Sequence, residues 1–163
     1  MIRSATPDDA RRIAAFHATV WHQTYASLAP AEARAQLTEA RRLVQWQAAL
    51  ADPGRQTWLA EDAGALQGLV NVGPPDPAVF GARGEIKHLY VARSARRQGL
   101  GARLLTRARA ALAQSGYAGA GLGVVRQNQA ARAFYRAQGG REIGTFTDPG
   151  PLWRSDMVLV VWD

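Results

Sequence analysis

Arg96-Arg97-Gln98-Gly99-Leu100-Gly101 brings two guanidinium groups, a carboxamide and two glycines together directly ahead of an apolar-periodic stretch. Placed between a strand and a helix, such a run offers backbone N–H groups at the positive end of a helix dipole, which is chemistry suited to a phosphate. The glycines let that ligand come close to the chain. Two other phosphate loops are excluded: the lysine and Ser/Thr of the nucleoside-triphosphate loop are missing, and so is the three-glycine dinucleotide pattern. What remains fits Q/R-x-x-G-x-G/A. The surroundings agree on the sign of the ligand, because residues 86–141 hold eleven basic residues and no Asp or Glu. The chain has no cysteine, so covalent carriage by sulfur and thiolate metal sites are ruled out. His17, His22 and His88 lack a cluster of carboxylate partners, and no metal is expected.

A cradle of this kind works only if a strand leads into it and a helix begins in it. Glu85-Ile86-Lys87-His88-Leu89-Tyr90-Val91-Ala92 reads as that strand, partly alternating. The helix runs from about Leu100 to Gln114, with Leu100, Leu104, Ala108, Ala111 and Leu112 inward and Gly116 at the C′ position. Upstream, Ile2-Arg3-Ser4 is a short strand. Thr6 then caps a helix with Pro7 at its first position and Asp8 and Asp9 facing the positive end of its dipole. Its buried stripe is Ala10, Ile13, Ala14, His17, Val20 and Trp21, and it breaks around Ala29-Pro30. Thr38-Glu39 opens another helix, carrying Leu43, Trp46 and Leu50 until Asp52-Pro53-Gly54 stops it. Two β-rich runs meet around Asp62-Ala63-Gly64 as a hairpin, and the Pro/Gly-rich residues 73–84 are a loop. Downstream, "GAGLGVV" is a buried strand, "NQAARAFYRAQ" a short helix capped by Asn128, and "REIGTFT" and "DMVLVVW" are closing strands. The order is strand, helices, hairpin, strand, helix, strand, helix, strand, strand, which makes a mixed sheet covered by helices.

With 163 residues and 47% hydrophobic content, the chain suits one domain over residues 1–163 with a sizeable core. No run approaches the roughly 20 apolar residues of a membrane span, and the N-terminus lacks a signal-peptide layout, so a soluble cytoplasmic protein without a membrane partner is expected. The formal charge of +7 raises nucleic acid as a rival partner. Against it, only Lys87 of the 20 basic residues is a lysine in an alanine-rich chain, the mark of a coding bias rather than of a binding surface. No aromatic and basic residues interleave in the manner that stacks single-stranded bases. Arg107 and Arg109 are better explained as the flank of the phosphate site.

Context sharpens the hexapeptide. It follows a strand ending Leu89-Tyr90-Val91, and after the next strand comes Asn128-x-x-Ala131-x-x-x-Tyr135. In these features, concentrated in residues 85–140, and in the order of its elements, the chain resembles the GNAT superfamily of acetyl-CoA-dependent N-acetyltransferases. That resemblance implies an α/β (α+β) fold: a central mixed, mostly antiparallel twisted sheet of six to seven strands, splayed between strands 4 and 5 and flanked by about four helices. It implies acetyl-CoA as co-substrate, no metal, and transfer of the acetyl group to a primary amine by direct attack in a ternary complex. The pyrophosphate would lie on the amides of Arg97, Gln98, Gly99, Leu100, Gly101 and Ala102, beside Arg96. Pantetheine would pair with the strand at Leu89, Tyr90 and Val91, with the Leu89 N–H on the thioester carbonyl. Asn128 and Ala131 would complete the coenzyme site. Tyr135 takes the place of the general acid, and Glu85 is the candidate base, with His88 or a water as alternatives. In a regular strand, His88 cannot point the same way as Glu85. Trp21, His22, Tyr25 and Trp153 fall where acceptors are read in this superfamily, either lining a pocket or filling core. One departure is visible: Gly139-Gly140 stands where the family often has Gly-Phe, which removes an aromatic packing residue. Members often form homodimers. A member that binds the coenzyme without transferring from it is the remaining alternative.

Overall fold

The structure, a computed structural model, describes residues 1–163. Ala63 and Gly64 both take positive φ, 47° and 79°, the left-handed pair that a tight hairpin needs if its twist is to match the strands. That turn joins β2 (Gln56–Asp62) to β3 (Ala65–Gly73), and β1 (Ile2–Ser4) adds antiparallel to β2. β4 (Gly84–Val91), β5 (Ala120–Val125), β6 (Arg141–Thr147) and β7 (Asp156–Trp162) complete seven strands in the order β1-β2-β3-β4-β5-β7-β6. Only β4 and β5 run parallel, as the expected mixed sheet requires.

Two helical layers cover this sheet. α1 (Ala10–Tyr25) and α3 (Glu39–Ala51) lie on one face, where Ile13, Ala14, Trp46, Ala49, Leu59 and Leu69 form a buried cluster. α4 (Leu100–Gln114) and α5 (Gln129–Ala137) lie on the other, over the largest core, which includes Trp58, Val70, Leu104, Leu112, Tyr135 and Trp162. Every stripe residue read from the sequence of α1 is buried. At its N-terminus, Pro7–Asp9 form a separate 3₁₀ turn before the α-helix, and the Asp9 carboxylate accepts from the Thr6 N–H at 2.8 Å. That carboxylate also takes a two-pronged contact from Arg3, at 2.9 and 2.8 Å, which holds it ionised well below the usual range and ties β1 to α1. The break at Ala29-Pro30 leads into a short helix that periodicity had not revealed, α2 (Ala31–Gln36), whose Ala33 joins Trp21, Ala29 and Leu37 in a satellite cluster. At Gly140 the space of a Cβ is taken by Val160 and the Trp162 ring, 2.7 and 2.8 Å away, so Trp162 supplies the aromatic surface absent from position 140. No helix is long and apolar enough to cross a membrane.

Candidate active site

The β4–β5 pairing lasts for only two residue pairs, Gly84 with Ala120 and Glu85 with Gly121. Past Glu85 the two strands diverge, and the gap opens into a cleft of about 770 Å³ floored by Leu89, Tyr90 and Val91 on one side and Leu122 to Val124 on the other. A parallel strand whose neighbour has moved away keeps backbone groups free to pair with an extended ligand.

At one end of the cleft lies the hexapeptide Arg96 to Gly101. Arg97 and Gly99 both sit in the left-handed region, at φ 64° and 77°, and Gly99 is the residue preceding α4. A left-handed arginine is strained backbone, and alternation of this kind turns successive N–H groups inward as an anion nest. The amides of Arg97, Gln98, Gly99, Leu100, Gly101 and Ala102 all lack an acceptor within the protein, and the first one satisfied is Arg103, which donates to the Gly99 carbonyl at 3.1 Å. Arg96, Arg97, Gly99, Gly101 and Ala102 line the cleft. Gln98 and Leu100 do not: the Gln98 side chain donates to the Ser94 carbonyl at 3.0 Å and braces the turn, while Leu100 is buried in the core beneath α4. Arg96 reaches back to the Val91 carbonyl at 3.2 Å. Arg107 and Arg109 stack on Trp58 and Trp162 at 5.6 and 5.9 Å and do not line the cleft, contrary to their placement beside the phosphate site.

The second motif forms the opposite wall. Asn128 caps α5 by accepting from the Ala131 N–H at 3.2 Å, and its amide donates to the Tyr25 hydroxyl at 3.3 Å, tying α5 to the end of α1. Asn128, Ala131 and Tyr135 all line the cleft. The Tyr135 ring packs against Phe134 and Trp162, and its hydroxyl makes no hydrogen bond within the protein. Burial first, and then the neighbouring Tyr25 and Tyr90, raise that hydroxyl above its ordinary value, so it remains protonated at neutral pH.

Glu85 stands at the last paired position of the splay, outside the cleft lining. Its Oε2 accepts from Lys87 Nζ at 3.0 Å and from the Asp76 N–H at 3.1 Å, and Lys87 itself lines the cleft. The sequence rule that separates Glu85 from His88 assumes a regular strand, and β4 is not regular. Gly73 pairs with Glu85, Val72 with Ile86 and Asn71 with His88, leaving Lys87 as a bulge residue. Since Asn71 and Gly73 share a face of β3, Glu85 and His88 share a face of β4. His88 is pushed down to about 3, chiefly by burial and then by Arg55, Arg42 and Lys87, so its imidazole is neutral at physiological pH.

Beyond this face the aromatic residues expected to lie near an acceptor come together. Trp21, Tyr25 and Trp153 have ring centroids 5.4 to 6.1 Å apart, with Trp153 delivered by the β6–β7 connection. Tyr25 lines the cleft, whereas Trp21 is buried behind it. His22 lies against Trp21 at 5.2 Å, with Nε2 3.3 Å from the Leu37 carbonyl.

Comparison with known proteins gives the same frame. A Mycobacterium tuberculosis protein named "probable N-acetyltransferase" is 33% identical over 113 residues, covering 66% of this chain; the chain spans 62% of that relative's length. The ribosomal-protein-alanine N-acetyltransferase of Brucella melitensis superposes with a TM-score of 0.74 at 25% identity, over 99% of this chain and 98% of its own. The PaiA N-acetyltransferase of Thermoplasma acidophilum, solved with coenzyme A, superposes at 0.70 with 19% identity, over 98% and 96%. The model of the acetyltransferase (GNAT) family matches residues 21–139, which contain the splayed strand, the nest and both motifs, and the chain belongs to that family.

Proposed function

We propose that the protein transfers the acetyl group of acetyl-CoA to a primary amine within a ternary complex. The observation that carries this reading is the continuous series of unpaired amides from Arg97 to Ala102 at the mouth of a cleft floored by a splayed strand. A pyrophosphate satisfies those donors, and an extended pantetheine arm fits the free edge of β4. The Leu89 N–H polarises the thioester carbonyl, where negative charge develops as the amine attacks.

The amine nitrogen forms a bond to the carbonyl carbon and the carbon–sulfur bond breaks, giving an acetamide and coenzyme A. An alkylammonium with a pKa of about 10.4 must first lose a proton. Glu85 receives it through water, its carboxylate held by Lys87 at the point where the splay begins. The departing thiolate takes the hydroxyl proton of Tyr135, which regains one from solvent. Support from relatives is consistent: the Thermoplasma structure holds coenzyme A, and the Brucella protein is named for an amine acceptor.

Two measurements test the reading. At about a hundred times its Kd, acetyl-CoA stabilises the native state by about 2.7 kcal/mol and raises Tm by roughly 5–10 °C, while free adenine does not. Thiol release over an amine panel, followed across pH, falls about 10²–10⁴-fold near neutrality in Glu85→Gln and partly recovers in alkali. No stabilisation by millimolar acetyl-CoA overturns the assignment, and an unchanged pH–rate profile removes Glu85 from it.

A further inference from the structure

We propose that Arg42 binds a carboxylate of the acceptor, so that the substrates are amines that also carry a carboxylate, that is, amino acids; this rests on the transferase reading above. On the sheet face that carries His88 and Tyr90, α1 and α3 enclose a polar and aromatic cluster. Trp46 Nε1–H donates to His17 Nδ1 at 2.9 Å, which leaves the proton of the neutral imidazole on Nε2. That Nε2–H is buried without a partner. Arg42, one turn before Trp46 on α3, is 7% exposed. Its guanidinium carbon lies 5.6 Å from the Trp21 ring centroid, and Nη1 donates to Gln45 Oε1 at 3.2 Å. Nε is buried without a partner, and no hydrogen bond is made by Nη2.

His17 Nε2 and Arg42 Nε are the two buried side-chain polar atoms of the chain without a hydrogen-bond partner. Both are donors, and both belong to this cluster. Arg42 has no carboxylate within 4.0 Å, whereas Arg3, Arg12, Arg83, Lys87, Arg132, Arg136 and Arg141 each have one. Burying an unpaired cation is costly, and a water satisfies a donor without neutralising a charge. The vacant role is that of an anion.

The other groups in and around the cluster do not fill it. Tyr90 keeps its proton because burial raises it, and His17 and His88 stay neutral because burial lowers them. Arg55 is engaged with Asn71, and the carboxylates at the start of β4 and in the loop before it, Glu85 and Asp76, are taken by Lys87. A polycationic amine would meet Arg42 and Arg55 with no free acid to receive its second charge. Arg42 sits behind the cleft lining rather than in it: it packs on Trp21, whose ring lies 5.4 Å from that of Tyr25, and Tyr25 lines the cleft.

The test measures thiol release at fixed acetyl-CoA for L-leucine, L-phenylalanine, L-glutamate and 4-aminobutanoate, each beside its carboxamide, and for spermidine. At least one acid is expected to exceed its amide by about 10–100-fold in kcat/KM, expressed in KM, even though the amide's amine is the less basic and more available. In Arg42→Gln the acid-to-amide ratio collapses toward one, and Arg42→Lys retains part of it; thermal melts establish that both variants fold. A purely structural arginine would lower acid and amide together and leave the ratio standing, which overturns the proposal. Amides or spermidine turned over as well as the acids would overturn it while leaving the transferase reading intact, and so would thiol release from none of the acids in a protein that acetyl-CoA stabilises. Failure of acetyl-CoA to stabilise the protein removes the transferase reading itself, and the inference with it.

Discussion

Burial lifts the Tyr135 hydroxyl above its ordinary value of 10.0, and no group within the protein competes for its proton. The raised value keeps the phenol protonated at neutral pH, so its proton is present when the thiolate departs. Tyr135→Phe removes one oxygen and keeps the ring that packs on Phe134 and Trp162. The expected result is a loss of about 10²-fold in kcat and kcat/KM together with coenzyme affinity nearly unchanged, the pattern of an interaction made in the transition state. Steady-state thiol release with a parallel melt checks it. A stability loss at wild-type turnover, with chemistry rate-limiting, would instead make Tyr135 a packing residue. Glu85 and Tyr135 are both visible in the sequence as residue types at matching positions, but the Lys87 ion pair that occupies Glu85 and the empty hydrogen-bonding environment of Tyr135 are not, because both arise from segments brought together in space.

The two glycines of the hexapeptide, alike in the sequence, do different work. Gly99 needs its positive φ, whereas Gly101, inside the first turn of α4, needs room: a Cβ there would lie 3.1 Å from the Phe134 ring. The constraint at Gly101 is therefore between helices, α4 against α5, across the floor of the cleft. Gly101→Val is expected to push Phe134 into the space that the coenzyme requires and to lower acetyl-CoA affinity more than tenfold, at a stability cost of about 1–3 kcal/mol. Adding Phe134→Ala to Gly101→Val relieves the clash, so the double variant should bind better than Gly101→Val alone, a coupling that a double-mutant cycle reads directly. Equal, independent losses would mean that Gly101 matters only through its own backbone. The left-handed Arg97 had no sequence signal, since a non-glycine residue adopts that conformation only when its surroundings impose it.

At the scale of the whole molecule, a buried His17 and a half-buried His88, both neutral and packed in one cluster, give the fold an acid sensitivity. His88 has an ordinary value of 6.5 and is held near 3 in the folded state, and His17 is also well below 6.5. Below about 6.5 the unfolded chain binds protons that the folded chain refuses, so stability is complete above that value and is lost as the pH falls. His88 contributes a slope approaching about 1.4 kcal/mol per pH unit, or roughly 3–5 °C of Tm, over the interval from about pH 6 to 5, and His17 acts in the same direction. Melting curves over that interval should steepen this way in the wild type and flatten in His88→Gln; a Tm indifferent to acid would contradict the neutral pair. The sequence by itself determined the order of the strands and of the longer helices, the α1 stripe, the hairpin turn, the cap at Asn128 and the location of the nest, because each depends on the period, φ preference or hydrogen bonding of neighbouring residues. Only the tertiary structure decided that β4 parts from β5 after Glu85, that a bulge at Lys87 puts Glu85 and His88 on one face, and that Arg42 is buried with no acid beside it. Those facts depend on register and on which side chains from distant segments meet, and a pattern read along one chain contains no term for either.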